Sequence, residues 1–176
     1  MITVCDKQFK LYMPEHEIKA VVDKMARQIS SDMRNSNPLF VPILTGSYIF
    51  MADLARALDF DADIAFARYS SYNGMQSTGS VKAQLPFPER CRGRHVVIVE
   101  DIIDSGITMD YLIAQLQELH PASIRIATFL FKPDSFQKSF KIDYIGKSIP
   151  NDFIVGYGLD YNDFGRGYRD IYVVAD

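Results

Sequence analysis

A chain of 176 residues, 48% hydrophobic and 23% charged, can bury a sizeable core in one domain spanning 1–176, and no Pro/Gly/Ser-rich linker divides it. A formal net charge of −3 excludes the electrostatic footprint of a nucleic-acid or anionic-membrane binder. Cys5 and Cys91 have no metal-ligand spacing around them, and neither a signal-peptide pattern nor a bilayer-length apolar run is visible, so reduced structural thiols and a cytoplasmic location are expected.

Residues 1–13 are of mixed character and read as including one short strand. Pro14, Glu15 and Glu17 then suit a helix start. Ile18, Val21, Val22, Met25, Ile29 and Met33 recur at helical spacing, the stripe of a core-packing helix with no chemistry of its own. Asn35-Ser36-Asn37-Pro38 breaks it. Leu39–Leu44 reads as a buried strand, followed by Thr45-Gly46-Ser47 and a helix over 48–58. A strand, a glycine turn and a helix can make an anion loop, although Thr-Gly-Ser alone is more often a plain turn.

A single strand is expected over residues 64–69, ending near Ser70. The next ten residues are polar and aperiodic, and Asn73-Gly74 marks a hairpin turn. A lid that closes over a site is the functional alternative, with Val81–Leu85 as the returning arm. Arg90, Arg92 and Arg94 read as solvated surface.

Val96-Val97-Ile98-Val99 has the composition of a strand buried on both faces of a parallel sheet. Glu100 and Asp101 end the apolar run, Asp104-Ser105-Gly106 follows, and a helix is expected over 109–119. Backbone N–H groups in such a turn, with the helix dipole behind them, form an anion cradle. Ser105 and Thr108 add hydroxyls. The three nearby carboxylates suit a phosphate-bearing sugar, or a base that must lose a proton, whereas a bare N-cap would also account for Asp and Ser. Glu100 and Asp101 are strand neighbours, so their side chains are expected to diverge. Ser123–Phe131 is the next strand, closed by Lys132-Pro133. A lysine at that end of a parallel strand faces the crevice where α/β sheets bind ligands. From pattern alone, Phe153 is a core aromatic and Asp160 a turn residue.

The run Glu100-Asp101-Ile102-Ile103-Asp104-Ser105-Gly106-Ile107-Thr108 resembles the phosphoribosyl diphosphate motif of type I phosphoribosyltransferases in their purine-salvage form. Further similarity lies in Ile43 to Leu54, in Ser71-Tyr72 with Gln76-Ser77-Thr78-Gly79, in Leu130-Phe131-Lys132-Pro133, and from Phe153 to Tyr161. In all it spans about residues 40–174 and is strongest to the hypoxanthine-guanine branch of bacterial length. The fold this implies is α/β, with a central, mainly parallel sheet flanked by helices, a small hood and a flexible hairpin loop.

The implied reaction joins a purine base to phosphoribosyl diphosphate, giving a purine nucleotide and diphosphate. By the same resemblance Asp104 is the catalytic base. Glu100, Asp101, Asp104, Ser105, Gly106, Ile107 and Thr108 hold the ribose and its 5-phosphate, and Thr45, Gly46 and Arg166 hold diphosphate. Lys132, Phe153, Ile154 and Asp160 surround the purine, Ser71 and Tyr72 belong to the mobile loop, and Glu100, Asp101 and Asp160 contact Mg²⁺. A homodimer or homotetramer without nucleic-acid or membrane partners is implied. Two departures stand out: Thr45 occupies a position where many members carry Lys or Arg, and Gly165-Arg166-Gly167 is locally unusual. The family loop often sits beside a non-proline cis peptide and works through backbone N–H groups, so its role survives the first departure. Rival readings are a xanthine-preferring member and a non-catalytic nucleotide-binding regulator, whose expected basic face is not visible. A dinucleotide-binding reductase would need a Gly-rich turn after the first strand, and the chain has none.

Overall fold

The computed structural model describes residues 1–71 and 81–175. The lid expectation, Tyr72 included, lies outside the described residues; for Ser71 only the backbone is described. In chain order the elements are β1 (Ile2–Val4), β2 (Lys7–Met13), α1 (Glu15–Met33), β3 (Leu39–Leu44), α2 (Tyr48–Ala57), β4 (Asp63–Ile64), β5 (Ala67–Ser71), β6 (Val81–Leu85), β7 (His95–Ile103), α3 (Ile107–Gln117), β8 (Ser123–Phe131), β9 (Tyr144–Ser148), β10 (Ile154–Val155) and β11 (Ile171–Val174).

The larger sheet runs β6-β5-β3-β7-β8-β9, parallel except where β5 meets β6, and β4 adds to β3. Strand alternation splits its side chains between two cores. Phe40, Val97, Val99 and Phe129 face the apolar stripe of α1 and Phe50, Met51 and Leu54 of α2. Val41, Val96, Ile98 and Ile126 face Met109, Leu112 and Leu116 of α3. Each such side chain, once fully buried, contributes about 1.5–3 kcal/mol. A second, antiparallel sheet, β1-β2-β11-β10, forms the hood, and its Ile154, Ile171 and Val173 are continuous with the α1-side core.

Four local expectations need correction. The N-terminal segment is a two-strand hairpin, with Ile2 opposite Phe9, rather than one strand. The strand expected over 64–69 is broken: β4 pairs with Leu39 and Phe40, β5 with Ile43 and Leu44. The interruption falls at Pro42, which has no N–H to give to the ladder. β7 does not stop at its acids but pairs on to Ile103 opposite Phe131, because ladder bonds are made by the backbone. α3 accordingly starts at Ile107. Of the two thiols, Cys91 is buried and pushed up to about 11 by burial, whereas Cys5 is exposed.

The chain passes from β3 to β5 on one side and to β7 on the other, so the order reverses between β3 and β7. Ligands of open α/β sheets bind at the carboxyl ends of strands flanking such a reversal. The segments leaving those two ends are residues 45–47 and 104–106.

Candidate active site

After β3 the Leu44–Thr45 peptide is cis, as the family resemblance implied. Thr45 is exposed, while Ser47 is buried and its Oγ donates to the Ile43 carbonyl at 2.6 Å. A Cβ on Gly46 would overlap the carboxylate of Asp101, so only glycine lets the two strand ends meet. A Cβ on Gly158, from the C-terminal block, would in turn overlap the Gly46 carbonyl. The loop is thus clasped between Asp101 on one side and Gly158 on the other.

The turn after β7 is built differently. Ser105 Oγ accepts from the Ile107 N–H at 3.4 Å, its carbonyl accepts from the Gln137 N–H at 3.1 Å, and Gly106 adopts φ 81° against Phe136. Asp104, Ile107 and Thr108 are exposed. Residues 100–106 with Thr108 and Met109 line a hollow of about 230 Å³, at the start of α3 where N–H groups and the helix dipole favour an anion.

Against the expectation that they diverge, the carboxyl groups of Glu100 and Asp101 lie near enough for each to shift the other's titration. Burial, then the charge of Asp101, holds Glu100 well above the usual carboxylate range. Burial also raises Asp101, opposed by neighbouring Glu100, the Ile102 N–H at 2.8 Å and the charge of Arg166. Two half-buried carboxyls side by side disfavour ionising together.

Lys132 and Asp104, assigned separate tasks by sequence, are brought together: Lys132 Nζ is 3.2 Å from Asp104 Oδ2. The lysine is 9% exposed and its N–H is held by the Ile103 carbonyl at 3.0 Å. Phe153 is not a core aromatic. It is 42% exposed, backed by Phe9 at 6.2 Å and edge-on to Tyr161 at 5.5 Å, leaving ring surface open. Ile154 is buried and pairs with Val173. Asp160 does make the turn that pattern suggested, accepting from the Asp163 N–H at 2.8 Å. Its other oxygen is 2.7 Å from Arg166 Nη2, and Arg166 Nη1 donates to the Gly158 carbonyl at 2.8 Å.

Glu100, Asp101 and Asp160, expected to contact metal, do not form a ready cage; among the described residues no cluster of three or more His, Cys, Asp or Glu is placed to hold an ion. Sequence reading missed the clasp by Gly158. It also missed the strut behind it, where Tyr157 Oη donates to Asp53 of α2 at 2.8 Å and burial raises the phenol far above its usual value. The signal was present in Gly156-Tyr157-Gly158, whose three residues all have positive φ.

Comparison with known proteins agrees with this geometry. A family model described as phosphoribosyl transferase domain matches residues 12–162. A hypoxanthine-guanine phosphoribosyltransferase of Aquifex aeolicus (strain VF5) is 36% identical over 172 residues, 97% of this chain and 97% of that protein. A hypoxanthine phosphoribosyltransferase of Escherichia coli (strain K12) is 41% identical over 155 residues, 86% of this chain and 87% of that protein. The crystal structure of a hypoxanthine-guanine phosphoribosyltransferase from Bacillus anthracis, with HEPES in its active site, has a TM-score of 0.88 at 31% identity, covering 97% of this chain and 99% of that one.

Proposed function

The chain belongs to the phosphoribosyltransferase family, and on that premise we propose that it transfers 5-phosphoribosyl from phosphoribosyl diphosphate to hypoxanthine, and to guanine, in purine salvage. In this reaction the bond from C1′ to diphosphate breaks, a purine nitrogen bonds to C1′, and the proton on the other imidazole nitrogen must leave. The observation that carries the reading is the Lys132–Asp104 pair, 3.2 Å apart at the open end of the parallel sheet. A 6-oxopurine presents O6 and N7 side by side on one edge. A cation that can only donate suits O6, and the adjacent carboxylate suits a proton at N7. Asp104 is therefore the general base, a role worth roughly 10²–10⁴ in rate.

The cradle of residues 104–108 anchors the 5-phosphate, fixing the sugar while C1′ moves between leaving group and base. Thr45, Gly46 and Arg166 take the diphosphate, and the clasp on Gly46 supports this by holding the loop in one register. Glu100 and Asp101 face the ribose hydroxyls, and unequal protonation gives one of them a donor and the other an acceptor role. Phe153 offers a stacking face and the strand at Ile154 offers main-chain groups to the base.

The oxygen-only donor set of Asp160, Glu100 and Asp101 fits Mg²⁺, which binds through one or two carboxylates and takes its remaining oxygens from substrate and water. When bound, that ion neutralises charge on the departing diphosphate. A cytoplasmic homodimer or homotetramer completes the proposal. Its mass in solution is the check, and a monomer at working concentration would reject it.

The decisive assay is diphosphate release from phosphoribosyl diphosphate with hypoxanthine, guanine, xanthine or adenine, repeated in excess chelator. Turnover with the first two, lost on chelation and restored by Mg²⁺, is expected. A preference for xanthine would correct the substrate, and full activity in chelator would reject the metal.

A further inference from the structure

Each oxygen of Asp160 already has a partner, and one of the two partners is a cation. Arg166 Nη2 lies 2.7 Å from Oδ1, and the Asp163 N–H is 2.8 Å from Oδ2. The same guanidinium is anchored at its other nitrogen by the Gly158 carbonyl at 2.8 Å, and Asp163 Oδ1 is a further 3.8 Å neighbour of Nη2. Both partners are largely shielded, with 23% of the Arg166 side chain and 29% of Asp160 exposed, so the charge-assisted contact is strong. Gly158 rests on Gly46, and Asp101 lies over Gly46 from the other side and feels the Arg166 charge. One fixed cation thus occupies the junction of the diphosphate loop, the β7 acids and the C-terminal block.

We propose that Arg166 is a built-in counter-cation that holds Asp160 until a divalent metal displaces it, so that metal enters only in exchange for the guanidinium. This rests on the phosphoribosyl-transfer reading for the identity of the metal. An arginine does not lose its proton at any working pH, so only displacement removes the cation from Asp160 Oδ1. Diphosphate supplies a competing anion of higher charge for the planar fork, which lets Arg166 leave Asp160 and meet the leaving group as the metal takes its place. Metal and diphosphate then favour each other, and the empty enzyme does not hold metal tightly. Arg166 is in this respect a positioning residue, acting on the metal through Asp160.

The test is titration of the full chain with Mn²⁺ alone, free Mn²⁺ being read by electron paramagnetic resonance, with no purine and no phosphoribosyl diphosphate present. Arg166→Gln should bind Mn²⁺ on the order of tenfold more tightly than the parent, the scale of removing one close, partly shielded cation from a carboxylate. Arg166→Lys, which keeps charge but not the fork, should fall between. Adding Asp160→Asn to Arg166→Gln should abolish the gain. Equal or weaker Mn²⁺ binding by Arg166→Gln, or a gain that survives Asp160→Asn, overturns the exchange. Should circular dichroism show Arg166→Gln unfolded, Arg166→Lys carries the test alone, and an affinity no higher than the parent's overturns it. No base or sugar enters this titration, so its failure leaves the purine reading to its own turnover assay.

Discussion

The two strand-to-helix turns at the sheet reversal share a plan and differ in how far they are enclosed. The turn after β7 is held from one side only: Ser105 accepts from the Ile107 N–H, Phe136 and Gln137 back Gly106 and Ser105, and the hollow on the other side stays open. The turn after β3 is shaped from a distance. Asp101, more than fifty positions along the chain, packs where a Cβ of Gly46 would stand, and the Gly46 carbonyl packs where a Cβ of Gly158, more than a hundred positions along, would stand. The open turn offers a carboxylate to a substrate, whereas the clasped one offers fixed backbone N–H groups and the Thr45 hydroxyl. On the proposed reading the base catalyst sits in the first and the diphosphate loop in the second.

The largest effect should come from Asp104→Asn, which keeps the open turn but removes its proton acceptor. kcat is expected to fall by on the order of 10² or more with little change in KM for phosphoribosyl diphosphate. An unchanged kcat in steady-state kinetics would reduce Asp104 to a turn residue. Gly46→Ala attacks the clasped turn instead, pushing its added methyl into the Asp101 carboxylate. A misplacement near 1 Å can cost about 10²-fold, here expected in kcat/KM for phosphoribosyl diphosphate. Wild-type values would mean that the clasp is not needed.

Gly158→Ala presses on the Gly46 carbonyl from the other side and must also adopt φ of 100°. A loss of about 1–3 kcal/mol in denaturant stability is expected. No loss would show that the loop is not held from that side.

Smallest is the pH effect of the half-buried Glu100 carboxyl beside the clasp. Glu100 titrates higher in the folded chain than when unfolded, so its contribution is complete below the ordinary glutamate range and is lost as pH rises through the folded value. Relative to Glu100→Gln, which stays neutral, the parent should lose stability between acid and alkaline pH. Denaturant midpoints at three pH values would show this, and a constant difference would mean that Glu100 is not held as a neutral acid.

The same contrast explains what could be read in the sequence. β7, its turn and α3 depend on local pattern, with four β-branched residues, Asp-Ser-Gly and an apolar helix, so they were legible within a few residues. Lys132 was legible because a parallel strand's carboxyl end is a fixed address. Pairing was not. Nothing near Lys132 names Asp104, nothing near Glu100 says that its carboxyl will turn toward Asp101, and Arg166 gives no local sign of holding Asp160. The broken strand before Ser70 was hidden because its cause, Pro42, sits on the partner strand. Resemblance supplied the cis peptide and the open Phe153, which pattern alone did not.

The most direct measurement is competition between hypoxanthine and adenine at one phosphoribosyl diphosphate concentration, in the parent and in Lys132→Ala. Adenine places a 6-amino donor against the Lys132 ammonium, so donor faces donor and the lysine is left with Asp104 as its acceptor. Sites built on a hydrogen bond to the substrate reject the wrong partner by roughly 10⁴, a margin expected in the parent and expected to shrink in the variant. Adenine turnover comparable to hypoxanthine in the parent would contradict the assignment. Selectivity undiminished in Lys132→Ala would contradict the role given to the Lys132–Asp104 pair.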